Sequence, residues 1–126
     1  VQKLRSEDRY AAVYYSKEHI EIVKRARKLL IGDLETKIPL ESLIAGENIS
    51  MVTFQAIFKQ IYGDSPYTHL KKYKMNCAAV RLREGKESIS EIAVSLGYSN
   101  ASKFSKAFQD VFGLLPKDYR HQKQSI

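Results

Sequence analysis

The chain has 126 residues, enough for one ordinary domain or two very small ones sharing a core. Hydrophobic residues make up 44% and charged residues 28%, which points to a soluble globular protein. No apolar run approaches the roughly 18 residues of a transmembrane helix, and no signal peptide is visible. The net charge is +7 and uneven: residues 1–65 carry 10 basic against 9 acidic side chains, residues 66–126 carry 11 against 5. A basic, lopsided chain often meets an anion, either nucleic acid or an acidic membrane surface.

The single cysteine, Cys77, makes no intrachain disulfide and fits a reducing compartment. A start at Val1 rather than methionine suggests a fragment or a processed chain. Residues 1–16 form an N-terminal extension or interdomain tail, with "RYAAVYY" either helical or extended. β-branched alternation is scarce and helix formers dominate, so an all-α protein is expected. A first helix spans about 17–34, with Ile20, Ile22, Val23, Ala26, Leu29 and Leu30 apolar. "KIPLESL" opens a second, with Pro39 near its first turn, where a missing N–H costs nothing. Ser50 starts a third, ended by Gly63. Pro66 begins a long helix over 66–84, closed by Gly85. "SISEIAVSL" forms a fifth, with Ser88 or Ser90 as its N-cap; Ser88 and Glu91 have capping-box spacing. A sixth runs over about 100–112, and Pro116 starts a short seventh.

The chain contains a repeat. Leu43, Asn48, Ile49 and Ser50 correspond to Ile92, Gly97, Tyr98 and Ser99. Phe54, Phe58, Gly63 and Pro66 then correspond to Phe104, Phe108, Gly113 and Pro116, with one residue inserted between Ser99 and Phe104. Two copies of about 50 residues are too few for a solenoid, which needs at least about three. They fit two helix-turn-helix units joined by the long helix. A tight turn between steeply crossed helices needs a residue tolerant of positive φ. Gly97 fills that place in the second copy and Asn48 in the first. It also needs a small residue at the close approach. Ala93 serves in the second copy; in the first, Ile44 is bulky, so either the helix angle differs or Ala45 and Gly46 take the contact in a shifted register. Phe104, Ala107, Phe108 and Val111 form one buried stripe, and Phe54, Ile57, Phe58 and Ile61 repeat it. A single copy would equally suit an ordinary helical corner; two aligned copies on a basic chain favour DNA reading.

The stripes fix what faces outward. A reading helix uses mainly its N-terminal residues on base edges. That selects Val52, Gln55 and Ala56 in the first copy, and Ala101, Ser102, Lys103 and Lys106 in the second. Gln55 suits adenine, Lys103 or Lys106 suits guanine, and Val52 suits a thymine methyl. Phosphate contacts are expected at Ser50, Lys59, Ser99 and Asn100, helped by free first-turn N–H groups. For Lys59 and Gln109 a simply solvated position fits as well.

The stretch "ISEIAVSLGYSNASKFSKAFQDVFGLLPKDYR" (89–120) resembles the second helix-turn-helix of the AraC/XylS family of bacterial transcription regulators. The family pattern is matched at Ile92, Ala93, Gly97, Tyr98, Ser102, Phe104, Phe108, Gly113, Pro116, Tyr119 and Arg120. The resemblance extends back to about residue 18. The linker departs from the family's R-L-x-x-A-x-x-L-L: Lys74 stands for arginine and Arg81 for an apolar residue, beside Met75, Ala78 and Leu82. A further phosphate contact is expected at Lys74.

The resemblance implies a seven-helix tandem helix-turn-helix fold. Two three-helix subdomains, 17–65 and 86–126, are joined by a linker helix over 66–85. It implies double-stranded DNA as the partner, in the cytoplasm at the nucleoid. RNA polymerase and a separate effector-binding or dimerisation domain are further candidate partners, and the chain is too short to hold such a domain. A linker of about 18 residues spans roughly 27 Å. Two reading helices could then enter successive major grooves of an asymmetric site of about 20 bp. No cofactor, metal or catalytic residue is expected: His19, His69 and His121 are scattered, with His69 exposed on the linker, and Cys77 has no activating neighbour. The alternative is a helical protein-interaction module with only nonspecific DNA affinity. Tyr10, Tyr14 and Tyr15 would then dock on a partner rather than pack on the first helix.

Overall fold

The structure, a computed structural model, describes residues 15–124. Among these, seven helices occur and no strand. They are α1 (Lys17–Gly32), α2 (Leu40–Leu43), α3 (Met51–Tyr62), α4 (Pro66–Glu84), α5 (Ile89–Ser95), α6 (Ala101–Phe112) and α7 (Pro116–Gln124). The all-α, seven-helix expectation is therefore met. Tyr10 and Tyr14 lie outside the described residues, so their docking or mini-core role does too. The chain separates into two compact units. Of the described residues, one takes 15–32 together with 38–69; the other takes 33–37 together with 70–124.

In the first unit, α1 packs on α3 and α2. Ile22, Val23, Ala26 and Leu30 follow helical spacing and are all buried, as are Leu43, Ile44, Phe54, Ile57 and Phe58. The expected stripe on α3 ends one residue early, because Ile61 is 38% exposed. The second helix, opened after Pro39, is a single turn of four residues.

His69, expected to be exposed, is half-buried instead. Its Nε2 accepts a hydrogen bond from Arg27 Nε at 2.9 Å, and its ring stands edge-on to Phe58 at 5.4 Å. Burial first, then the Arg27 charge, lowers its pKa below the ordinary histidine value; Asp64 opposes them. The native state therefore favours neutral imidazole, while the unfolded chain takes up a proton near the usual 6.5. Stability from this site should be full above that pH and lost as pH falls toward the folded pKa. Urea midpoints between pH 7 and pH 5 should drop more for the wild type than for His69→Gln.

In the second unit, α5 packs on α6 and α6 on α7. Its core is Met75, Ala78, Ala79, Leu82, Ile92, Ala93, Leu96, Phe104, Ala107 and Phe108, with Leu34, Tyr98, Val111 and Tyr119 packed around it. α5 is capped by Ser88 rather than Ser90. Ser88 Oγ accepts the Glu91 N–H, and the Glu91 carboxylate accepts the Ser88 N–H, a complete capping box. Arg81, unexpected where an apolar residue was anticipated, makes a two-point pair with Glu87 through Nε (2.8 Å) and Nη2. Arg120 donates to the carbonyl oxygens of Leu82 (3.1 Å) and Glu87 (2.6 Å), tying α7 to the end of α4.

Candidate nucleic-acid interface

The second turn ends α5 in a Schellman motif. Tyr98 N–H donates to the Ala93 carbonyl and Gly97 N–H to that of Val94, both at 3.0 Å. Gly97 has φ +88°, and a Cβ there would stand 2.5 Å from the Glu35 carbonyl oxygen and 3.0 Å from that of Leu34. Ala93, the small residue of the close approach, is fully buried.

The first turn is built differently. No residue other than glycine has positive φ among the described residues, so Asn48 does not fill the expected place; Gly46 does, at φ +78°. The turn is held by Glu47 N–H donating to the Ile44 carbonyl at 3.0 Å. His19 Nε2–H donates to the Asn48 carbonyl at 3.0 Å, and Arg25 pairs with Glu47 at 2.7 Å. With α2 only one turn long, bulky Ile44 leaves the helix as its C-cap and is buried, so no small residue is needed there.

The reading helices start alike. Ser50 Oγ accepts the Thr53 N–H at 3.1 Å, and Asn100 Oδ1 accepts the Lys103 N–H at 2.8 Å. The cap of α6 is thus Asn100, not Ser99. Asn100 stands four residues before Phe104 as Ser50 stands before Phe54, so the inserted residue lies in the turn, ahead of the helix. The N–H groups of Met51, Val52, Ala101 and Ser102 have no partner within their own helix.

Of the base-reading candidates, Val52 is 81% exposed, and Gln55, Ala56, Ser102, Lys103 and Lys106 are exposed too. Ala101 is only half-exposed, so its reach is short. Val52, Gln55 and Ala56 share one face of α3; Ser102, Lys103 and Lys106 share one of α6. Among the phosphate candidates, Ser50, Lys59, Ser99 and Asn100 are exposed. Lys74 is not: it is half-buried with its ammonium 5.6 Å from the Tyr98 ring centroid. Burial pushes its pKa down, opposed by the Asp33 carboxylate. α3 carries no acidic residue, and the one on α6, Asp110, is paired with Lys71 at 3.1 Å.

Comparison with known proteins gives these faces a context. Residues 43–122 match the model of a helix-turn-helix domain. An AraC-like transcription regulator from Streptomyces lividans is 40% identical over 72 residues, covering 57% of this chain and 24% of that protein. The chain spans about a quarter to a third of the curated relatives that head the comparison. The C-terminal domain of AraT, a response regulator from Geobacillus stearothermophilus, superimposes with TM-score 0.72 at 34% identity, over 80% of this chain and 84% of that one. The DNA-binding domain of AdpA, solved with a target DNA, shares the fold at 24% identity and TM-score 0.70, over 87% of this chain and 96% of that one. The chain therefore belongs to the AraC-type helix-turn-helix family, the DNA-binding domains of transcription regulators.

Proposed function

We propose that the chain reads a specific double-stranded DNA sequence, inserting α3 and α6 into successive major grooves. The observation that carries this reading is the repetition of one device in both units. Each unit has a capped helix whose outward first-turn face is exposed and free of unpaired carboxylate. The two faces differ in chemistry. Val52, Gln55 and Ala56 suit an adenine and thymine methyls; Ser102, Lys103 and Lys106 suit guanine. The site should accordingly be asymmetric, of about 20 bp. Ser50, Ser99, Asn100, Lys59 and the first-turn N–H groups would hold the flanking phosphates. Among the described residues no helix is long and apolar enough to cross a membrane. The setting we infer is cytoplasmic, at the nucleoid. RNA polymerase and an effector-binding domain would be partners of the whole regulator.

Selection from a randomised duplex library tests the reading. A two-part asymmetric motif supports it; no enrichment would favour the interaction module. Affinity for the selected site should fall with salt at a slope of about −0.9 per phosphate neutralised, and a flat response would sink DNA binding altogether. Lys106→Ala should relax base preference at one position, by about 1–3 kcal/mol. A uniform loss on all sequences would reassign Lys106 to phosphate.

A further inference from the structure

Lys74 is the one expected phosphate ligand that is half-buried rather than exposed. Its stem is half-buried and its ammonium lies over Tyr98, the residue that follows the turn glycine. Tyr98 in turn stands edge-on to Phe104, in the first half of α6, with ring centroids 5.8 Å apart. On the other side of the turn runs the segment 33–37. Asp33 Oδ1 accepts the N–H groups of Glu35 and Thr36, both at 3.1 Å, which bends this segment into an Asx turn. The bend brings the Leu34 and Glu35 carbonyls against Gly97 so closely that no Cβ fits. The same Asp33 carboxylate favours the charged form of Lys74.

We propose that Lys74 is a positioning residue for the second reading helix: with Tyr98, Asp33 and the 33–37 segment it locks the Gly97–Tyr98 turn and so sets the aim of α6. This rests on the DNA-reading function proposed above. The ammonium reaches α6 through one ring, Tyr98, which contacts both Lys74 and Phe104. A phosphate ligand needs an ammonium delivered to water. A ring-bound ammonium instead holds two elements together. The two roles predict different signatures, because only a phosphate contact enters the salt slope.

The test compares wild type, Lys74→Met and Lys74→Arg on the selected duplex across a range of salt. Methionine keeps the apolar stem and loses the charge; arginine keeps a cation for the ring. Lys74→Met should leave the salt slope unchanged while discrimination in the half-site read by α6 falls about tenfold, the size of one lost base-pair preference. Lys74→Arg should retain it. A slope reduced by about 0.9 with preference intact would overturn the proposal and make Lys74 a phosphate ligand. Wild-type behaviour of Lys74→Met in both readouts would overturn it as well. Should Lys74→Met not fold, the Tyr98 pair decides: Tyr98→Phe keeps the ring face and should behave as wild type, whereas Tyr98→Leu should lose second-half-site preference. If the wild type itself selects no second half-site, the DNA reading has failed and the lock is read without DNA. Amide exchange at residues 97–102 of free Lys74→Met should then run faster than in wild type. Equal exchange would sink the lock.

Discussion

Gly97→Ala is expected to be strongly destabilising for a single added methyl group. Two costs add. At φ +88° an L-residue is held in the left-handed region, which costs about 1–2 kcal/mol. The new Cβ also meets a backbone carbonyl oxygen at 2.5 Å, and backbone cannot rotate away as a flexible side chain does. Either segment 33–37 or the turn must move, an overpacking cost of about 1–3 kcal/mol. Gly113 provides the control. Its φ is +81°, yet a Cβ there meets nothing within 4 Å. Gly113→Ala should therefore lose only the conformational part. Urea unfolding of the two variants separates the terms. Equal losses would mean that segment 33–37 does not press on the turn in solution.

Phe108→Ala should cost about 3–5 kcal/mol, a large fraction of the stability of any small domain. The ring is fully buried and central to an aromatic cluster, 4.7 Å from Phe112, 5.3 Å from Tyr119 and 6.0 Å from Phe104. These rings come from α6 and α7, so the cavity would open where the reading helix is anchored. Truncation leaves a void that two helices would have to collapse into, and the loss of edge and tilted ring contacts adds to the transfer cost. Urea unfolding followed by the far-ultraviolet helix signal checks it. A loss below about 1 kcal/mol would mean that the core repacks around the gap.

The sequence made the second copy more legible than the first, for a physical reason. A Schellman turn demands glycine, the close approach demands alanine, and the stripe demands Phe-x3-Phe, so Ala93, Gly97, Phe104 and Phe108 are each constrained by local geometry. The first copy spreads the same task over a one-turn helix and a longer loop. There Gly46 replaced Asn48, and His19 supplied a brace from another helix. Capping side chains were readable to within a residue: Ser50 and Ser88 act as expected, while the inserted residue moved the cap of α6 to Asn100. The exposed candidates on α3 and α6 followed from helical periodicity alone. Lys74 and His69 did not, because their surroundings come from distant parts of the chain; Arg81 departs from the family's apolar pattern because its partner, Glu87, lies just beyond the end of its own helix. Asp33 with Glu35 and Thr36 reads locally as a turn. Nothing in those residues says that the turn would rest on Gly97.

The order of these segments along the chain has a consequence for inheritance. Residues 33–37 are encoded between the first two helices of the first unit, yet they belong to the second. A recombination event that exchanged everything after residue 65 with a relative would carry the whole second reading helix but leave its pad behind. The hybrid would press a foreign Gly-Tyr turn onto a resident Leu34–Glu35 backbone. Shuffling of reading specificities in such proteins should thus succeed most often when the two stretches travel together, or when the resident pad already fits the newcomer.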